Sequence, residues 1–524
     1  MIKKHFNTAG PCNPEWHYMV PPLPRVPEAH GLVMGGAYFV VHAPRQTGKT
    51  TFLRALSEQL TGEGIVTALY ASCEAAGSAL DDFVTAQDLI VRELIAEADA
   101  TLPPELRPPP FEVISKNSRF RDFLRLWSEL SPRKLVLLLD EIDSMVGQSL
   151  IAILRQLRSG FADRPGRAPW SVILCGMRDV RDYKMASGGD PSRLGTASPF
   201  NVKVKSLRLG GFDEGDVREL LGQHTTATGQ AFDEEATARL IELAGGQPWL
   251  VNALAREVVD KMKVEGTIHR THIDKAKERL ILARATHLDS LVSKLAEPRV
   301  RRVIEPILAG GTTDADEVFN DDVSYVVDLG LVKSQPLRMA NPIYTEVITR
   351  VLAMPVQENV SADPRSFVRA DGRFDMDVLL REFASFWVEQ GDTLTESITY
   401  REAGAQLVLM AFLQRIVNGG GTVSREFGIG SRRIDLLLTW PYTDVAGKRQ
   451  VQREAIELKV WRDGRKDPLA EGLLQIERYL DKVGLDHGVL ILFDRRSNAA
   501  PLEERTHEEA ATTAKGRPIR VLRA

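Results

Sequence analysis

The sequence predicts an α/β protein of more than one domain, and three observations carry that prediction. Toward the front, "AYFVVHAP", "VTALYASC", "KLVLLLDEID" and "WSVILCGM" are short uninterrupted apolar runs, each followed by polar or helical sequence. Strands buried on both faces of a parallel sheet read in this way. From Phe212 the pattern turns purely helical, and beyond residue 396 strand-like segments return after a long apolar helix. Finally, 524 residues exceed what one core serves, and the length suggests about three domains.

In chain order, residues 1–34 are rich in proline and aromatics and read as an irregular lead-in; residues 35–210 carry the four apolar runs and read as a doubly wound sheet. Residues 211–290 read as helices that start on acids ("DEGDVRELL", "DEEATARLI"), as the positive end of the helix dipole prefers. In 291–355, helical runs flank a two-stranded turn at Gln335-Pro336, the makings of a winged helix. The polar, proline-containing stretch that follows suggests a linker over 356–395, leaving 396–524 as a second α/β domain.

Composition is that of a globular protein, 43% hydrophobic and 26% charged, and a net charge of −4 excludes a globally basic nucleic-acid binder. Cys12, Cys73 and Cys175 are widely spaced and match no metal or redox pattern, which points to a reducing compartment. The amino-terminal stretch lacks the apolar run of a signal peptide, and no segment approaches the roughly 18 apolar residues of a membrane span. The expectation is a cytoplasmic protein with no membrane partner.

"HAPRQTGKTT" lies between the first strand and the first helix of the front sheet. It follows GxxxxGK[ST], with Ala43 in place of the first glycine. Pro44, Arg45, Gln46, Thr47, Gly48, Lys49, Thr50 and Thr51 would wrap a nucleotide's phosphates, because a helix amino-terminus aims N–H groups and a positive dipole end at them. Lys49 would reach the β- and γ-phosphates, and the Thr50 hydroxyl would ligate Mg²⁺. "LVLLLDEID" supplies the matching acids: Asp140 for the magnesium shell and Glu141 to polarise the attacking water. The competing reading is a glycine turn beside a helix-capping acid pair.

These motifs resemble those of the AAA-like and STAND-related P-loop ATPases, over roughly residues 1–355. The resemblance implies ATP and Mg²⁺ as cofactors and a helical lid followed by a winged helix. It makes Arg178, in "VILCGMRD", a sensor of the γ-phosphate, and it sets Gly246 and Pro248, in "GGQPWLVNALA", near the base. Relatives of this kind often work as oligomers, so homo-oligomerisation is a further expectation.

At the rear, "AIELKVW" alternates. Ile456, Leu458 and Val460 share one strand face, and Glu457 and Lys459 share the other. An acid and a base on an otherwise apolar strand cost desolvation energy unless something uses them. Upstream, "RRIDLLLTW" holds Asp435 as its sole acid. If the strands are neighbours, Asp435 and Glu457 converge on one hard cation, Mg²⁺ or alternatively Mn²⁺, and Lys459 offsets charge on a phosphate transition state. The competing reading is an ion pair on a partly exposed edge strand.

This D…ExK set resembles that of the PD-(D/E)XK nuclease superfamily, and the resemblance covers the last ~130 residues, a restriction-endonuclease-like fold. Segment order agrees with that family: "REAGAQLVLMAFLQRIV", "RRIDLLLTW", "REAIELKVW", "GLLQIERYLDKV", "GVLILFD". "QIERY" matches a QxxxY extension, which implies roles for Gln475 and Tyr479; the proline that often precedes the family's Asp is Ile434 here. From Glu396 onward 21 Lys and Arg stand against 18 Asp and Glu, a mild lean toward nucleic acid, DNA rather than RNA. The resulting expectation is an ATP-regulated nuclease, of an architecture resembling bacterial proteins suspected of defence against foreign DNA. The competing expectation is a signalling or scaffold ATPase whose last domain binds nucleic acid without cutting.

Overall fold

The computed structural model describes the chain apart from residues 1–3, 112–114, 178–201, 284–292, 309–320, 358–363, 397–400, 418–420, 427–434 and 445–446. Side chains are in addition not described at 353–357, 364–365, 392–396, 401–403, 424–426 and 435. The chain divides into two compact units, Met1–Ala283 with Asp328–Gly330, and Arg284–Val327 with Leu331–Ala524.

The first unit runs α1 (Glu28–Met34), β1 (Tyr38–His42), α2 (Lys49–Gly62), β2 (Val66–Ser72), α3 (Phe83–Thr101), α4 (Arg119–Leu130), β3 (Lys134–Asp140), α5 (Gly147–Ser159), β4 (Ser171–Gly176) and β5 (Lys203–Arg208). The strands form one parallel sheet in the order β2-β3-β4-β1-β5. Alternation explains the uninterrupted apolar runs. Tyr38, Val40, Leu135, Leu137 and Leu139 face a core with α3, α4 and α5. Phe39, Val41, Val136 and Leu138 face the opposite core with α1 and α2. Because both faces are covered, every position has to be apolar.

A helical group follows: α6 (Glu214–Thr228), α7 (Glu234–Ala244), α8 (Pro248–Arg256) and α9 (Arg270–Leu282). The acids at its helix starts act as caps. Asp213 and Asp216 form a capping box, and the Asp233 carboxylate accepts from the Ala236 N–H at 2.7 Å. The lead-in expected to be irregular over 1–34 is so only in its first part: a bridge joins His5 and His17, a short 3-10 turn spans Leu23–Arg25, and its last seven residues are helix α1. It is packed: Phe6 and Tyr18 are buried against His224 of α6. The Gln223 amide clamps it further, exchanging two hydrogen bonds with the Met19 backbone.

The second unit begins with α10 (Pro298–Leu308), α11 (Asp321–Asp328), the antiparallel hairpin β6 (Val332–Ser334) and β7 (Leu337–Met339), and α12 (Pro342–Gln357). In α11, Asp322 is paired with Arg299 and Arg302 of α10, so its charge is engaged internally. Then come α13 (Met376–Glu396), α14 (Arg401–Val417), β8 (Thr422–Glu426), β9 (Asp435–Thr443), β10 (Arg449–Trp461), α15 (Leu469–Val483), β11 (Gly488–Asp494), α16 (Leu502–Arg505), β12 (His507–Thr512) and β13 (Pro518–Arg523). The sheet order is β12-β13-β11-β10-β9-β8. A meander β8–β9–β10 is antiparallel, whereas β10–β11 and β11–β13 are parallel.

The linker expected over 356–395 is not a linker in its second half. Helix α13 buries Leu379, Leu380, Phe383 and Trp387 in one core with α14 and the sheet. Those residues recur at helical spacing, and that apolar stripe outweighs the polar, proline-containing sequence before it. The closing hairpin β12–β13 also lay outside the expected element order.

Candidate functional sites

The front site forms where β1 runs into α2. Gly48, the residue before the helix, has φ +91°, and a Cβ there would stand 3.2 Å from a guanidinium nitrogen of Arg25. This glycine is therefore required by backbone conformation. Ala43 is different: it is fully buried, packs in the core beneath the sheet and does not have a positive φ. An alanine is tolerated at that motif position because nothing there demands left-handed backbone.

The Lys49 ammonium folds back onto its own loop and donates to the carbonyls of Ala43 and Pro44, each at 2.9 Å. The Thr50 hydroxyl donates to an Asp140 oxygen at 2.7 Å, and Asp140 is fully buried. Strand β3 is two places from β1 in the sheet, yet its end meets the start of α2. Two hard oxygen donors thus sit together beside the phosphate loop, a set that suits Mg²⁺. Glu141 lies in left-handed backbone at φ 54°, and the Ser72 hydroxyl at the end of β2 donates to its carboxylate at 2.8 Å. Burial pushes the Glu141 carboxyl above its ordinary range; the Ser72 hydrogen bond opposes that, and neighbouring Asp140, Glu74 and Asp143 reinforce it.

Beside the loop a cleft opens, bounded by Thr47, Gly48 and Thr51 on one side and by Pro248, Trp249 and Asn252 of α8 on the other. Gly246, at φ +88°, precedes this helix, and its carbonyl accepts from the Phe212 N–H at 2.8 Å. Gln247 caps α8 and also donates to the Arg45 carbonyl at 3.2 Å, tying the helical group to the phosphate loop. Pro248 therefore lines the cleft. Arg178 lies outside the described residues.

The sequence reading missed the lead-in as a wall of this cleft. Asn7, Thr8, Gly10 and Cys12 line it; the Thr8 carbonyl accepts from the Trp249 indole at 3.0 Å, and the Cys12 N–H donates to the Thr51 hydroxyl at 3.0 Å. Arg25 lies over the Phe212 ring at 5.0 Å, and burial lowers its pKa to about 10. No local signal marks these residues, since long-range contacts alone place them.

The rear site lies on β10, which is an interior strand and not an edge. Ile456 and Leu458 face the core with α13 and α14, whereas Ala455 faces the core with α15. Glu457 and Lys459 share that second face. Glu457 is 1% exposed and lies 3.3 Å from the Lys459 ammonium. The register pairs Glu457 with Asp435 of β9 directly; the Asp435 side chain is outside the described residues. Helix α15 adds Gln475, whose carbonyl accepts from Lys459 and whose amide donates to Glu471 at 2.6 Å. Glu471, which the sequence reading did not single out, is also 3.4 Å from Lys459. Tyr479, one turn further, lies in the apolar core on that face.

Trp440 is a core residue, with its indole donating to the Gly372 carbonyl at 3.1 Å. Among the described residues no group of three or more His, Cys, Asp or Glu is set to hold an ion, and no helix is long and apolar enough to cross a membrane.

Comparison with known proteins gives one family match, and it lies in the front unit. Residues 34–183 match the family model described as an AAA domain. No curated protein matches the chain. Among solved structures, a Walker-type ATPase of Pyrococcus abyssi is 12% identical, covers 66% of this chain and 99% of its own, and has a TM-score of 0.46. The Thermotoga maritima RuvB Holliday junction branch migration motor is 14% identical over 58% of this chain and 84% of its own, with a TM-score of 0.31. Domain III of the Thermotoga maritima replication initiation protein DnaA is 15% identical over 51% of this chain and 97% of its own, also with a TM-score of 0.31. The family match covers strands β1 to β4 of the parallel sheet, the phosphate loop and the Asp140–Glu141 pair, and marks this stretch as an AAA-type P-loop ATPase domain; β5 lies beyond it.

Proposed function

We propose that the protein is an ATP-regulated, metal-dependent nuclease, with nucleotide bound and hydrolysed at the front site and phosphodiester cleaved at the rear one. At the front, Lys49 exchanges the carbonyls of Ala43 and Pro44 for the β- and γ-phosphates, and Pro44 to Thr51 wrap them. Thr50 and Asp140 would hold Mg²⁺, which neutralises phosphate charge. Glu141 orients the attacking water and takes its proton, once freed from Ser72. Pro248 and the lead-in hold the base end of the nucleotide, and Arg178 is proposed to sense its γ-phosphate.

One observation carries the nuclease reading: a carboxylate, Glu457, buried to 1% on an interior strand, beside Lys459 and in register with Asp435. Burying such a group without a use costs several kcal/mol, of order 3–5 when its partner is removed. Asp435 and Glu457 would hold Mg²⁺ or Mn²⁺, which activates water and polarises the phosphate. Lys459 stabilises the charge that develops on the phosphate, and Gln475 and Glu471 orient its ammonium. The substrate is proposed to be DNA rather than RNA, and the setting to be a cytoplasmic homo-oligomer acting in defence against foreign DNA.

The test is incubation of purified protein with single- and double-stranded DNA and RNA, Mg²⁺ or Mn²⁺, with and without ATP, beside Asp435→Ala. Cleavage that requires Asp435 is expected. Intact substrates throughout, with ATP still hydrolysed, would favour the signalling or scaffold reading.

A further inference from the structure

Strands β10 and β11 are parallel neighbours, so the turns that leave them emerge at the same end of the sheet. Trp461, the last residue of β10, stands two residues, or about 7 Å, beyond Lys459. The register sets it beside Asp494, the last residue of β11. The two exits read Arg462-Asp463-Gly464-Arg465-Lys466-Asp467 and Arg495-Arg496.

The acids among them are engaged in holding the two turns together. Asp463 accepts from the Ser497 N–H at 3.0 Å, Asp467 pairs with Arg523 at 3.0 Å, and Asp494 clasps Arg496 at 2.6 Å. Arg496 in turn lies 3.5 Å over the Trp461 ring, whose indole donates to the Arg465 carbonyl at 2.9 Å. The result is a stiffened ledge. Arg465 and Lys466 stand exposed on it, and neither forms an ion pair with any described residue.

We infer that this ledge is a phosphate-binding surface that seats the sugar–phosphate backbone of a nucleic-acid strand beside Lys459. The assignment deepens the nuclease reading and rests on it for the chemistry of the ligand. Exposed cations on a rigid support, with the nearby acids already employed, fit a polyanion. They give affinity without reading sequence. The Arg496–Trp461 stack, with the Trp461 indole hydrogen-bonded to the Arg465 carbonyl, fixes the support in place.

The experiment is anisotropy of a short fluorescein-labelled oligonucleotide, single-stranded and duplex, titrated with full-length protein in EDTA across a salt series. Wild type is compared with R465A/K466A and with K448A/R449A, two exposed bases at the far end of the same strand. Losing two phosphate contacts lowers the slope of log affinity against log salt by about 1.4 for single strands and about 1.8 for duplex. The loss is equal for unrelated sequences, and the far-end variant matches wild type. If R465A/K466A retains wild-type affinity and slope while the protein still cuts, the ledge is wrong and the nuclease reading stands. If binding follows the ledge but no substrate is cut with Mg²⁺ or Mn²⁺, the ledge stands and the nuclease reading falls. Absence of binding by wild type to either probe overturns the ledge outright.

Discussion

In the proposed function the two sites face the same electrostatic problem, holding phosphate beside a divalent cation, and would meet it with different materials. The front site uses backbone: a loop of consecutive residues whose key conformation, φ +91° at Gly48, is set by one glycine. Its carboxylate, Asp140, is reached across the sheet by the Thr50 hydroxyl. The rear site uses side chains alternating on one strand, Glu457 and Lys459, completed by a neighbouring strand and by one helix. The difference teaches where each is fragile. A backbone site survives Ala43 in place of glycine, because that position is not left-handed. A side-chain site has no such tolerance, since each group has a single source.

The largest effect that would sharpen this contrast is on cleavage. Lys459→Ala removes a charge from the transition state and lowers the cleavage rate by about 10²–10⁴-fold, with ATP hydrolysis unchanged. Rates measured in one reaction mixture check it, and equal loss at both sites would erase the distinction between them. Lys49→Ala is next. Losing charge-assisted hydrogen bonds of about 1.5–3 kcal/mol weakens nucleotide binding by about 10- to 100-fold, read with a fluorescent nucleotide analogue. Metal then separates the sites thermodynamically. Mn²⁺ at about 100 times its dissociation constant stabilises the protein by about 2.7 kcal/mol, and Asp435→Ala cancels the rear unit's share in a melting experiment.

The smallest effect concerns pH. The Glu141 carboxyl is raised by burial, so it holds its proton to higher pH than an ordinary side chain. If its anion is the working form, the acid limb of ATP hydrolysis lies above the usual carboxylate range of about 4.3. Ser72→Ala removes the hydrogen bond that favours the anion and moves this limb further up, whereas Glu141→Gln abolishes the limb along with most of the rate. The stability sign follows from the same direction. The folded state binds this proton more tightly, so the contribution is complete below the unfolded pKa and is lost as pH rises through the folded one. Glu141→Gln should therefore melt slightly higher than wild type at neutral pH.

How much of this was legible in the sequence follows from the same physics. The phosphate loop is contiguous, so its pattern is visible in ten residues. The alternation in "AIELKVW" shows that Glu457 and Lys459 share a face, because strand geometry has period two. That Asp435 stands opposite Glu457 depends on strand register, which no local pattern states. The lead-in was legible only as irregular: its place in the cleft depends on Trp249, Gln223 and Thr51, distant in sequence. Helix α13 was legible in principle, through Leu379, Leu380, Phe383 and Trp387, but the polar stretch before it drew the boundary too late. Ser72 and Glu471 carry no motif, and their partners are found only in space.

The most direct measurement of the central claim is the cleavage rate of labelled DNA against ATP concentration, for wild type and Lys49→Ala side by side. The account predicts a nucleotide-dependent rate in wild type, a rate indifferent to nucleotide in Lys49→Ala, and none in either background once Asp435 is Ala. Cleavage that is the same with and without ATP and untouched by Lys49→Ala, or that survives loss of Asp435, would contradict it.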